Sequence, residues 1–250
     1  MKVIKNKKVN QIPHFKQETD DDSSLPFIPP HPLPKRGFMI LSGAPASGKT
    51  SLLTSLLCSK PTRKAPKNTK FYCKYFDLIH VISHSLATLP LSRFSLPEKQ
   101  LHDKYSDDLL EQIIDDVHEG DNLNFLLLID DCVRSLSRSR ILCKIAQNRR
   151  HITQNSTKDD SANMSVFLTT QKYNAIPLVM RVCASHVLLY KTNNNAELRT
   201  IKDELMSDLN PEQQDEILEL AWNEPYSFLF IDSFAPAGQR YYKKFDLIEI

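Results

Sequence analysis

Eight consecutive residues, Gly43, Ala44, Pro45, Ala46, Ser47, Gly48, Lys49 and Thr50, follow the pattern G-x-x-x-x-G-K-[ST]. These residue types at this spacing hold a polyphosphate. The two glycines let the backbone turn tightly, so that successive N–H groups converge on one anion. A helix starting at the loop adds the positive end of its dipole. Lys49 is expected to reach the β- and γ-phosphates and the Thr50 hydroxyl to ligate Mg²⁺. Ser51 extends the nucleotide-contacting run, and the expected ligands are ATP and Mg²⁺. Glycine is scarce, 5 in 250 residues against about 7% in average proteins. A chain of this composition produces the motif by chance only about once in a thousand sequences.

A second group of residues suits the same chemistry. Leu126 to Asp131 reads LLLIDD, an apolar strand ending in two acids. Asp130 is expected to hold the metal, directly or through water, and Asp131 to orient or deprotonate the attacking water. The alternative is that both acids cap the next helix. Val166 to Gln171 reads VFLTTQ, a strand expected to lie between the other two and to end in polar groups. Gln171 is the candidate γ-phosphate sensor and Thr170 the second choice; the alternative is a polar strand end facing solvent. Charge developing on a transferred phosphoryl group is often neutralised by an arginine from a neighbouring subunit. Arg181 is the first candidate for that trans finger, with Arg149 and Arg150 behind it.

These residues need a scaffold that alternates strands and helices, and the hydrophobic pattern supplies one. Expected strands are Phe38 to Leu41, Phe76 to Ser83, Asn124 to Ile129, Ser165 to Thr169, His186 to Tyr190, Tyr226 to Ile231 and Arg240 to Phe245. Expected helices are Lys49 to Ser59, Pro97 to Glu119, Ser137 to Asn148, Glu197 to Met206 and Pro211 to Trp222. This is an α/β, doubly wound, mostly parallel sheet. The long interval between Lys49 and Ile129 leaves room for a strand inserted between the phosphate-loop strand and the acidic strand, and residues 76–83 suit that insertion. Residues 1–35 read as a Pro-rich, flexible arm, basic and then acidic, and residues 36–250 as one ATPase domain.

Composition narrows the function classes. The longest apolar run, Phe125 to Ile129, is far short of the roughly 20 residues that span a bilayer. The basic N-terminus lacks the apolar core of a secretory signal, so an intracellular protein is expected. The 5 cysteines are odd in number and contain no C-x-x-C, which points away from a zinc site or a disulfide framework. Net charge is only +2, but it is segregated. Lys60, Arg63, Lys64, Lys67, Lys70 and Lys74 form one acid-free run. Arg134, Arg138, Arg140, Lys144, Arg149, Arg150 and Lys158 form another basic stretch, whereas Asp203 to Glu224 carries eight acids and no base. Such segregation suits sequence-independent contact with a phosphate backbone; a solvated face is the alternative.

In order, GAPASGKT, FDLIHVIS, LLLIDD, RRH, SVFLTTQKYNAIPLVMR and YSFLFID resemble the poxvirus-type genome-packaging ATPases of the FtsK–HerA superfamily. The resemblance spans about residues 37 to 247. It implies an additional-strand, RecA/FtsK-like P-loop NTPase that forms a homo-oligomeric ring. It also implies movement of double-stranded DNA into a viral capsid or through its portal vertex. It carries Lys49 and Thr50 to nucleotide and Mg²⁺ binding, Asp130 to the metal, Asp131 to the catalytic carboxylate, Gln171 to the sensor and Arg181 to the trans arginine. Asp131 departs from the glutamate frequent in the wider superfamily. Other classes that a phosphate loop serves are a nucleotide or polynucleotide kinase and a non-hydrolysing, nucleotide-dependent scaffold.

Overall fold

The computed structural model of the chain describes residues 2–3, 29–58, 71–86, 89, 96–119, 124–132, 139–152 and 163–250. The strands are β1 (Lys2–Val3), β2 (Phe38–Ser42), β3 (Leu78–Ser83), β4 (Leu101–His102), β5 (Asn124–Asp130), β6 (Asn163–Thr170), β7 (His186–Tyr190), β8 (Phe228–Asp232), β9 (Tyr241–Lys243) and β10 (Asp246–Glu249). The helices are α1 (Lys49–Cys58), α2 (Asp107–Glu119), α3 (Arg140–Ile152), α4 (Leu178–Cys183), α5 (Asn195–Leu205) and α6 (Pro211–Ala221). The described strands form one sheet in the order β1-β10-β9-β8-β7-β2-β6-β5-β3-β4. From β7 to β4 every pairing is parallel, and from β7 to β1 every pairing is antiparallel.

Side chains alternate across a strand, and β2 and β5 are buried on both faces. Phe38, Ile40, Phe125, Leu127 and Ile129 enter one core with Leu110, Ile113, Leu142, Ile145, Ile201 and Ile217 from α2, α3, α5 and α6. Met39, Leu41, Leu126 and Leu128 enter the other, with Leu53 and Leu56 of α1 and the aromatic segment Tyr72 to Phe76. The sheet is therefore covered on both sides, as the apolar runs predict. Fully buried Phe167 meets Tyr72 edge-on at 5.2 Å between ring centroids, which locks that segment onto β6.

Several boundaries differ from the expectation. The helix expected from Pro97 starts only at Asp107, because the Ser106 hydroxyl caps it by accepting from the Leu109 N–H at 3.1 Å. Ahead of it lie a single 3₁₀ turn and the edge strand β4, which pairs with β3. The single last strand is instead a hairpin, β9 and β10, which turns at Lys244 with φ of 56°. Residues 76–83 supply β3 but do not part the phosphate-loop and acidic strands: β6 lies between β2 and β5, and β3 sits beyond β5. The end of the expected arm belongs to the folded domain. Leu33 is buried, and the Tyr72 and Tyr75 hydroxyls each donate at 2.8 Å to the carbonyls of Pro34 and Lys35. Lys2 and Val3 pair with Glu249 and Ile248. Residues 4–28 of the arm, the basic run from Lys60 to Lys70, and Arg134, Arg138 and Lys158 lie outside the described residues.

Candidate nucleotide site

The C-terminal ends of three adjacent parallel strands bring the predicted residues together. Gly43 to Gly48 form the turn between β2 and α1, and the Gly43 N–H donates to the Thr170 carbonyl of β6 at 3.1 Å. Gly48 has φ of 104°, a region that side-chain-bearing residues avoid. Gly43 is required by space: a β-carbon there would stand 2.7 Å from the Ser47 hydroxyl and 2.7 Å from the Tyr190 β-carbon. Ala44, Pro45 and Ala46 are exposed on the outside of the turn, and Ala46 adopts a left-handed φ of 61°. The Ser47 Oγ is buried and has no hydrogen-bond partner among the described residues. The Lys49 Nζ lies across the loop and donates to the carbonyls of Gly43 at 2.5 Å and Ala44 at 3.0 Å. Burial lowers its pKa from the ordinary lysine value, opposed by the carboxylates of Asp131 and Asp130. Ser51 is exposed on the first turn of α1.

Asp130 ends β5 and is 7% exposed. Its Oδ1 accepts from the Thr169 hydroxyl of β6 at 2.6 Å, and its Oδ2 from the Ser83 hydroxyl of β3 at 3.1 Å. Strands on both sides thus fix the carboxylate. Thr50 of α1 and Asp130 line one small cavity with Thr54, Val81, Leu89 and Leu128. A hydroxyl and a pinned carboxylate are oxygen donors of the kind that Mg²⁺ takes, so these residues fit the ion.

Asp131 turns out of the strand with φ of 52°, and its carboxylate is exposed. Gln171, one residue beyond β6, donates from Nε2 to Asp131 Oδ2 at 2.6 Å. Thr169 completes the arrangement by accepting from the Asp131 N–H at 3.1 Å. Gln171, the first candidate for the sensor, thus meets Asp131, whereas Thr170, the second choice, does not. Thr170 is fully buried, and its hydroxyl donates to the Lys172 carbonyl, away from Asp131. In a run of two threonines the alternation of a strand puts only one on the face that Asp130 shares, and the register of β6 against β5, which pairs Thr169 with Asp130, decides which.

Glu197 was also missed. It is 4% exposed at the start of α5, where Asn194 caps the helix. Its Oε1 accepts from the Tyr173 N–H at 2.6 Å and the Ser42 hydroxyl at 3.4 Å, and its Oε2 accepts from Thr192 at 2.7 Å. One carboxylate therefore ties the chain segments leaving β2, β6 and β7.

Of the candidate arginines, Arg181 lies on α4. Its guanidinium donates to Glu204 at 2.7 Å and to the Asn174 carbonyl at 3.1 Å, with the Tyr173 ring 5.5 Å away. Leu178, Val179 and Val182 of the same short helix are exposed. Arg149 is buried and donates to the Ala146 carbonyl at 3.2 Å, and the Arg150 side chain lies outside the described residues. Arg140 and Lys144 are exposed on α3. No disulfide joins any of the 5 cysteines. Among the described residues no helix is long and apolar enough to cross a membrane.

A phosphate-type loop after β2, an acidic end on β5 and a strand between them make this the fold of the P-loop NTPases. Solved structures agree. The genome packaging NTPase B204 of Sulfolobus turreted icosahedral virus 2, in complex with ATP-γS, matches with a TM-score of 0.60 at 15% identity, covering 87% of this chain and 100% of B204. B204, the DNA-packaging ATPase from Sulfolobus turreted icosahedral virus, matches with a TM-score of 0.58 at 15% identity over 87% of this chain and 98% of that one. The conjugation coupling protein TcpA of pCW3, with ATPγS, matches with a TM-score of 0.52 at 11% identity over 85% of this chain and 61% of TcpA. No protein-family model and no curated protein matches the chain. At these identities the likeness is one of fold.

Proposed function

We propose that the protein is an ATP-hydrolysing motor that translocates double-stranded DNA, of the kind that packages a viral genome into a capsid. It would work as a homo-oligomeric ring at the capsid or its portal vertex. The observation that carries the reading is the Gln171–Asp131 pair at 2.6 Å beside the fixed Asp130, on the strand next to the phosphate loop's own strand and the strand beyond it. The loop N–H groups and Lys49 bind and orient the phosphates. Asp131 accepts a proton from the attacking water, and Gln171, already hydrogen-bonded to Asp131, aligns that water with the γ-phosphate. Thr50 and Asp130 would hold Mg²⁺, which supplies charge neutralisation at the β- and γ-phosphates. Arg181, presented beside the exposed apolar side chains of α4, is the residue we assign to a neighbour's γ-phosphate. A kinase reading is less well supported, because small kinases often place the two site strands side by side, whereas here β6 separates them.

The test is the ATP hydrolysis rate with and without double-stranded DNA, together with the mass of the assembly. Stimulated turnover by an oligomer is expected, and Lys49→Ala should abolish turnover. A strict monomer without stimulation would overturn the motor reading, and wild-type turnover in Lys49→Ala would overturn the site.

A further inference from the structure

Tyr226 stands in the segment between α6 and β8, beside the phosphate loop but outside the group of residues described above. It is 72% exposed, although it is large and partly apolar. Its backbone is left-handed, with φ of 58°, which is costly for a residue with a β-carbon. Its ring nonetheless has a fixed place. The Tyr226 Cδ1 lies 3.5 Å from where a Gly48 β-carbon would stand, so the ring edge borders the last glycine of the loop. The segment behind it is firm: Ser227 and Phe228 are buried, the Ser227 N–H donates to the Glu224 carbonyl at 3.3 Å, and Phe228 packs on Tyr190 beneath the loop. Glu224, the nearest acid in this turn, is paired with Lys243 at 2.7 Å and Lys244 at 3.1 Å, which reduces its repulsion of an approaching polyphosphate. No hydrogen bond or ring partner occupies the Tyr226 side chain among the described residues. An exposed, strained aromatic at the mouth of an anion loop thus presents a free π-face that packing within the chain leaves unused.

We propose that Tyr226 is the platform on which the base of the bound nucleotide stacks. This rests on the reading of Gly43 to Thr50 as a nucleotide phosphate site and extends it from the phosphates to the base. Stacking engages the face of a base and not its hydrogen-bonding edge, so purine nucleotides should be discriminated little. The residue binds and positions; it takes no part in bond making.

The test compares ATP with inorganic tripolyphosphate, which has the phosphates and no base. Tyr226→Ala should weaken ATP binding, and raise KM, by roughly 5- to 100-fold. It should leave tripolyphosphate affinity and kcat within about twofold, and Tyr226→Phe or Tyr226→Trp should restore ATP affinity. Unchanged ATP affinity in Tyr226→Ala overturns the proposal. So does an equal loss for ATP and tripolyphosphate, since the ring would then only support the loop. A change in assembly mass with ATP affinity intact also overturns it, in favour of a contact between copies. If the wild-type protein binds neither ligand, the phosphate site itself fails, which is a separate result.

Discussion

Thr169 is fully buried, and its one hydroxyl serves both acids of the site. It donates to Asp130 Oδ1 at 2.6 Å and accepts from the Asp131 N–H at 3.1 Å. Thr169→Val keeps the shape of the side chain and its preference for a strand but removes both bonds. A hydrogen bond to a charged group contributes about 1.5–3 kcal/mol, and the Asp131 N–H, which is only partly buried, about 1 kcal/mol. The expected loss is therefore about 2.5–4 kcal/mol, or a fall in Tm of roughly 5–15 °C for a chain of this size. The functional effect is separable. Asp130 would still be present, held only by Ser83 on its other oxygen, and free to rotate away from Thr50. Loss of a group that orients a ligating carboxylate typically weakens metal affinity about 10- to 100-fold. Titrating Mg²⁺ against the hydrolysis rate, well below the melting temperature, should show the half-saturating concentration rising by that factor. Thr169→Ser, which keeps the hydroxyl, should return it most of the way. A Thr169→Val protein that melts lower but needs no more Mg²⁺ than wild type would refute the claim that Thr169 positions Asp130 for the ion.

Three further outcomes are expected. Replacing Arg181 with alanine removes its bonds to Glu204 and the Asn174 carbonyl and its contact with the Tyr173 ring, so stability should fall by about 1–3 kcal/mol. If Arg181 acts across subunits, turnover should fall about 1,000-fold or more, and in mixtures with wild type more steeply than the mutant fraction; a strictly proportional fall counts against trans action. Gly48→Ala should destabilise the loop by about 1–3 kcal/mol through its φ of 104° alone, because the added methyl meets only ordinary contacts; denaturation with and without ATP measures this. Stability should also fall in mild acid. His80 of β3 and His102 of β4 share a hydrogen bond at 3.0 Å, and burial, then the charge of His102, lowers the His80 pKa to about 4. Its folded pKa is below the unfolded one, so the unfolded chain takes up the proton first. The contribution is full above about pH 6.5 and is lost as pH falls towards 4, about 2 kcal/mol by pH 5. Urea unfolding at both pH values should show the loss, and His80→Gln should flatten it.

The parts of the site legible in the sequence are those fixed by neighbours along the chain. The phosphate loop is one continuous segment, so spacing alone placed Lys49 and Thr50. The fully apolar stretches of β2 and β5 announced strands buried on both faces, and the acids at the end of β5 followed. What was not legible depends on register and on contacts between distant segments. The central place of β6 was expected, but nothing local says that Thr169 and not Thr170 shares a face of the sheet with Asp130, or that residues 76–83 pair outside β5. Helix starts set by a single hydroxyl, as at Ser106, were missed for the same reason: apolar spacing continued upstream through residues that form a 3₁₀ turn and an edge strand.

Two residues that no local pattern marks share a physical role. Thr169 and Glu197 are polar, buried and placed under the groups expected to do chemistry. Burying a carboxylate is costly unless its oxygens are satisfied. Glu197 meets that condition with Ser42, Tyr173 and Thr192, drawn from the ends of three neighbouring strands. An apolar residue there would cost less to bury but would leave the Tyr173 N–H without its acceptor and the three strand exits untied. The Tyr173 ring in turn lies 5.5 Å from the Arg181 guanidinium. The same buried carboxylate therefore braces the strand that carries the phosphate loop and the segment that supports Arg181. A hydrophobic core holds a sheet together without fixing where its last residues point. Here hydrogen bonds to buried oxygens do that, and it is at those last residues that Gly43, Asp130 and Gln171 must be held in register.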